Sequence, residues 1–78
     1  MNATDATSPG RRLRDLRIAK GWNQTRLAAR AKVSIGTISF AERGIRQPQE
    51  LTQERIARAL GVDRREIWPD SEPAKEAS

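Results

Sequence analysis

The sequence predicts a compact all-α domain of five short helices, organised around a helix-turn-helix. Three observations carry this. Leucine, isoleucine and alanine recur at helical spacing in successive segments, and no segment alternates as a half-buried strand would. Serine, asparagine, threonine or aspartate precedes each segment as an N-cap, and glycine closes the first, third and fourth. Only Lys32 and Val33 separate the second segment from the cap of the third, Ser34. That connection is too short for antiparallel packing, so the two helices must cross steeply.

The first helix is expected over residues 9–20. Ser8 caps it, and Pro9 takes a first-turn position where its missing N–H costs nothing. Leu13, Leu16, Arg17 and Lys20 share one stripe, which places the Arg17 guanidinium beside the leucines. Gly21 ends the helix, and Trp22 is expected to plug the gap before the second helix, Gln24–Ala31, capped by Asn23. Leu27, Ala28 and Ala31 point inward there.

Ser34 caps the third helix, Ile35–Arg43, and Gly44 stops it. Ile38 sets its buried direction. At about 100° per residue, Ser34, Ile35, Ala41 and Glu42 lie within roughly 60° of Ile38, while Gly36, Phe40 and Arg43 point away. Thr37 and Ser39 lie on the flanks. Glu42 is thus a carboxylate on the core side, as Arg17 is a guanidinium on the core side. A charge taken from water needs a partner, and the arginine fork fits a carboxylate. The pattern predicts an Arg17–Glu42 ion pair tying the first helix to the third.

A loop with Arg46 and Pro48 leads to the fourth helix, expected over residues 53–60 with Thr52 as cap and a Leu51–Ile56 hydrophobic staple. Gly61 ends it. Asp63-Arg64-Arg65-Glu66 has the spacing of a capping box and opens a fifth helix that carries Ile67 and Trp68 and stops at Pro69. Residues 1–8 and 70–78 are polar and read as loose tails flanking a single domain, residues 9–69.

Composition bounds the function. A chain of 78 residues buries only a modest core, and dimerisation often supplements such a core. With no cysteine and no histidine, disulfides and thiolate metal sites are excluded, and a reducing interior fits best. The opening MNATDATSPG has neither the basic start nor the apolar centre of a signal peptide, and no run is long enough to span a membrane. An enzyme finds no support: no nucleophile–base set, no metal-ligand spacing and no glycine-rich phosphate loop occurs. No cofactor is expected. Charge is unevenly spread. Residues 11–46 hold ten basic side chains against Asp15 and Glu42, whereas residues 47–78 hold more acids than bases. The positive charge therefore surrounds the two-helix unit, as a phosphate-binding surface requires.

In order and spacing, Leu13-x-x-Leu16-Arg17, Lys20-Gly21-Trp22-Asn23-Gln24, Leu27-Ala28, Val33-Ser34, Thr37-Ile38-Ser39, Glu42-Arg43-Gly44, Pro48 and residues 57–62 resemble the Cro/repressor (Xre) type of helix-turn-helix DNA-binding domain. The resemblance covers roughly residues 11–68 and implies the lambda-repressor-like fold. It implies further that Gln24 and Asn23 contact phosphate, that Ile35, Gly36 and Phe40 face base edges, and that Arg43 and Arg46 lie near the DNA backbone. It implies the Arg17–Glu42 pair as well. The resemblance implies action on double-stranded DNA as a two-fold dimer in a bacterial or phage-infected cytoplasm, and so a transcriptional regulator, expected to be a repressor. With the third helix in the major groove, Thr37 and Ser39 can bond to bases, Ile35 and Phe40 can pack on thymine methyls, and Ser34 can join the phosphate contacts.

The expected dimer surface is the fifth helix around Ile67 and Trp68, with Leu51; for Trp68 the alternative is packing within the subunit. Phe40 could instead serve a protein partner or simply be tolerated, which leaves a protein-interaction adaptor or antitoxin-like module, using the apolar third-helix face or the fifth helix, as the rival function. Three positions depart from the family pattern. Lys32 stands where glycine is usual, so either a strained left-handed residue or a different turn is expected. Ile35 and Phe40 replace polar base readers. Glu50 and Gln53 stand near positions that are often apolar, which blurs the register of the fourth helix.

Overall fold

A computed structural model describes residues 8–69. The two expected tails, apart from Ser8, lie outside these residues. Five α-helices follow one another: α1 (Pro9–Ala19), α2 (Gln24–Ala31), α3 (Ile35–Arg43), α4 (Glu50–Leu60) and α5 (Arg64–Ile67). Helix α1 packs on α3 and α5, α2 packs on α3 and α4, and α4 packs on α5.

Local chemistry accounts for the boundaries. Ser8, Asn23 and Ser34 each accept a hydrogen bond from a backbone N–H in the first turn of the helix they precede. Lys20 caps the end of α1 and Gly21 follows in the left-handed region. Gly44 and Gly61 take the same conformation at the ends of α3 and α4. Asp63 and Glu66 form the full capping box of α5.

Helix α4 starts earlier than Thr52. Its N-cap is Gln49, with no side-chain cap, and Gln53 N–H already bonds to the Gln49 carbonyl at 2.8 Å. Glu50 in this first turn suits the positive end of the helix dipole. Leu51 is therefore inside the helix and 67% exposed, so the staple onto Ile56 is absent.

The core is built from Leu13, Leu27, Ala28, Ala31, Ile38, Ala41, Ile56, Ala57, Leu60, Ile67 and Trp68. Leu16, Trp22 and Val33 pack against it, with Val33 anchoring the α2–α3 turn. Ile67 and Trp68 are 0% and 2% exposed within one subunit. This corrects the expectation that they form a dimer surface: a four-residue helix closing a small core cannot also offer its apolar side chains outward. Of the three residues assigned to that surface, only Leu51 is exposed.

Gly10 explains how α1 reaches α3. A Cβ there would stand 2.5 Å from the Glu42 carbonyl and 2.6 Å from that of Ala41, so no larger residue fits without backbone movement.

Candidate nucleic-acid interface

The site rests on a buried junction. Arg17 Nε lies 2.6 Å from Glu42 Oε2, and its Nη2 donates to Oε1 at 3.0 Å. The side chains are only 11% and 4% exposed. Arg17 Nη1 donates to the Trp22 carbonyl at 2.8 Å, so one guanidinium ties together α1, α3 and the segment entering α2. The bidentate geometry, with the third nitrogen also satisfied, offsets the cost of removing both charges from water.

Gln24 joins this junction. Its Nε2 donates to Glu42 Oε1 at 3.1 Å. The amide expected to reach phosphate is thus oriented by a core carboxylate, and its second N–H is the one left to face outward. The Asn23 oxygen is taken by the Arg26 N–H at 2.8 Å, which leaves the Asn23 amide nitrogen for an external acceptor.

From this base α3 presents one face. Gly36 is exposed, Ile35 is 46% exposed and Phe40 41% exposed. Nothing but the Ser34 hydroxyl lies within 4 Å of where a Gly36 Cβ would be, so the backbone is open to close approach. On the flanks, Ser34 and Thr37 hydroxyls share a hydrogen bond of 2.9 Å, and Ser39 Oγ accepts from Arg43 Nη1 at 3.4 Å. Both flanking residues are half-buried. Arg43 and Arg46 are exposed. A groove of about 610 Å³ runs between this face and the loop before α4, with Gly36, Phe40 and Arg46 among its walls. Gly36, Thr37, Phe40 and Arg46 thus border one groove, whereas Ile35, expected within about 60° of the buried direction, is instead exposed outside it.

The turn resolves the question posed by Lys32. It adopts φ 61°, ψ 46°, the one left-handed non-glycine residue among those described. The usual turn geometry is kept and the lysine bears the strain, on the order of 1 kcal/mol.

A second polar junction was not anticipated. Arg64, expected only within the capping box, has an 11% exposed side chain, 3.6 Å from Glu50 and 3.5 Å from Glu54. It donates to Gln53 Oε1 at 3.1 Å, and Gln53 Nε2 donates to the Pro48 carbonyl at 3.0 Å. This explains why the polar Glu50 and Gln53 stand where apolar residues are usual: they hold α5 and the α3–α4 loop to α4. Acid spacing with an arginine about ten residues on was the only sequence trace of it.

Among the described residues no cluster of acids could hold a metal ion, and no helix is long and apolar enough to cross a membrane.

Comparison with known proteins agrees with this architecture. A family model described as a helix-turn-helix domain matches residues 10–67. Uncharacterised HTH-type transcriptional regulators of Mycobacterium bovis and Mycobacterium tuberculosis are 36% identical over 55 residues, 70% of this chain. The matched stretch spans only 22% of those relatives' own length. The crystal structure of the restriction-modification controller protein C.AhdI from Aeromonas hydrophila superposes with a TM-score of 0.75 at 34% identity, over 82% of this chain and 97% of that one. With the fold, the packed α2–α3 pair joined by the Lys32–Val33 turn and these likenesses in agreement, the chain belongs to the helix-turn-helix domain family, in the Cro/repressor (Xre) form that its residues resemble.

Proposed function

We propose that this chain is a sequence-specific double-stranded DNA-binding transcriptional regulator, acting as a repressor in the bacterial cytoplasm. The observation that carries the reading is the uncovered α3 face, with Gly36 open between Ile35 and Phe40 and with Arg43 and Arg46 at its rim. In this reading α3 enters the major groove. Ile35 and Phe40 pack on thymine methyls, Thr37 and Ser39 bond to base edges or phosphates, and Asn23, Gln24, Ser34, Arg43 and Arg46 hold the backbone. Helix α3 has no asparagine, glutamine or lysine to read a base by paired hydrogen bonds. Specificity then comes from methyl contacts and DNA shape. A homodimer on a pseudo-palindromic site supplies the rest, with exposed Leu51 on α4 as the side chain for its contact. The likeness to transcriptional regulators and to a restriction-modification controller supports this assignment.

Selection of duplexes from a random library by the purified protein tests it. The expected result is an enriched inverted repeat, bound with a log affinity that falls against log salt with a slope near −4 to −5 per subunit, from roughly 4–6 phosphates. No enrichment over random sequence would remove the reading. A protein-interaction adaptor is the second reading, favoured by the two exposed apolar side chains on α3. Its signature is a protein complex broken by Phe40→Ala while DNA binding stays intact.

A further inference from the structure

A cleft of about 550 Å³ opens between the C-terminal end of α2 and the middle of α4. Its floor is Ala31 and Ala59, and its walls are Arg30, Lys32, Arg55 and Arg58. All four cations are exposed, and no carboxylate lines the cleft. Glu54, one turn before Arg58, is held instead by Arg64. The contacts the four do make are neutral: Arg55 Nη1 donates to the Lys32 carbonyl at 3.4 Å, and the Arg30 guanidinium lies 5.1 Å from the Trp22 ring centre.

Two features resist a bland reading as a solvated basic face. Arg55 and Arg58 are three residues apart on one helix, where like charges disfavour folding. Lys32 holds a left-handed backbone that glycine would hold without strain. The lysine therefore adds charge at this cleft against the local backbone preference. The cleft shares no wall with the groove beside the exposed α3 face. Along α2, Arg30 stands about 9 Å from Gln24 at 1.5 Å per residue.

We propose that this cleft is a second phosphodiester-binding surface, which takes nucleic-acid backbone separately from the α3 face. Four clustered cations with three arginine forks suit a run of phosphates. The small alanine floor lets a backbone settle between the long side chains. The backbone comes either from the flanks of the duplex bound at α3 or from a second duplex. The inference rests on the nucleic-acid reading of the chain, and its test separates the two.

Affinity is measured against salt for a random-sequence duplex of about 40 bp and another of about 14 bp, at roughly 0.9 slope units per phosphate. With the longer duplex, Arg55→Ala/Arg58→Ala is expected to make the slope shallower by about 1.8, with at least a tenfold loss near 0.1 M salt. Lys32→Gly is expected to reduce the slope by about 0.9 while raising the thermal midpoint by about 4 °C, since it removes backbone strain. Loss confined to the longer duplex supports flanking DNA as the source. Equal loss at both lengths, with donor- and acceptor-labelled duplexes brought together by the unaltered protein, supports a second duplex.

Unchanged slopes in both variants, alongside a shallower slope in Arg46→Ala, overturn the second surface and leave the α3 reading standing. The reverse pattern supports the cleft and removes the α3 reading. Tighter binding of labelled poly-glutamate than of duplex, lost in Arg55→Ala/Arg58→Ala, overturns the proposal in favour of an acidic protein partner.

Discussion

Gly10, in the first turn of α1, lies against the backbone of Glu42 near the end of α3, where an added Cβ would come within 2.5 Å of the carbonyl oxygen. The contact sets how closely α1 can approach the helix that carries the exposed face. Helix propensity and packing make opposite predictions here. Alanine favours a helix over glycine by up to about 1 kcal/mol, whereas forcing a methyl into a closed backbone contact costs about 1–3 kcal/mol. Packing should dominate, because both nearest atoms are main-chain and cannot swing aside. Gly10→Ala is therefore expected to lower stability in urea or thermal unfolding; an unchanged or higher midpoint would show that α1 can shift freely.

The Arg17–Glu42 pair should be strongly destabilised by single truncation. Arg17→Ala leaves a carboxylate with 4% exposure facing Gln24 alone among the described residues, at an expected cost of about 3–5 kcal/mol. Replacing both charges with apolar residues of similar volume should cost much less than the two single changes together. Denaturant unfolding of the double-mutant cycle gives the coupling; additive losses would mean that the two groups act independently.

Phe40→Ala should shift base preference. With Phe40 41% exposed on the α3 face, its loss removes an apolar contact and little core packing. Library selection should return a consensus with weaker preference for thymine at one position per half-site, since mismatches typically cost about 1–3 kcal/mol each. An identical consensus at equal affinity would take Phe40 off the base-reading surface.

Arg64→Ala should loosen the α4–α5 contact. It removes the ion pairs to Glu50 and Glu54 and the hydrogen bond to the oxygen of a 2% exposed Gln53. The expected loss is about 1–3 kcal/mol, read by thermal unfolding, with DNA affinity at a temperature where the variant is folded within a few-fold of the unaltered protein. A midpoint that does not move would show that solvent replaces the arginine at no cost.

Most of the helix limits were legible because they are local. Asn23, Ser34, Gly44, Gly61 and the Asp63–Glu66 box act within a few residues, so their spacing alone announces them. The Arg17–Glu42 pair was legible for a related reason: helical periodicity placed two opposite charges on core-facing stripes, and burial leaves such charges little alternative to each other. The start of α4 differs from the expected Thr52: that residue has the chemistry of a cap, but the N-cap is Gln49 and Gln53 reaches back to the Pro48 carbonyl.

Five helices, the short turn at Lys32–Val33 and the side of α3 that carries Gly36 and Phe40 could all be read from residue order, because periodicity and capping are short-range. Helix packing in three dimensions was needed to see that Ile67 and Trp68 close the core, that Gly10 is a contact point, that Arg64 anchors α4, and that Arg30, Lys32, Arg55 and Arg58 meet around one cleft. Each of these depends on distances between segments far apart in the chain, set by how the helices pack and leaving little local mark.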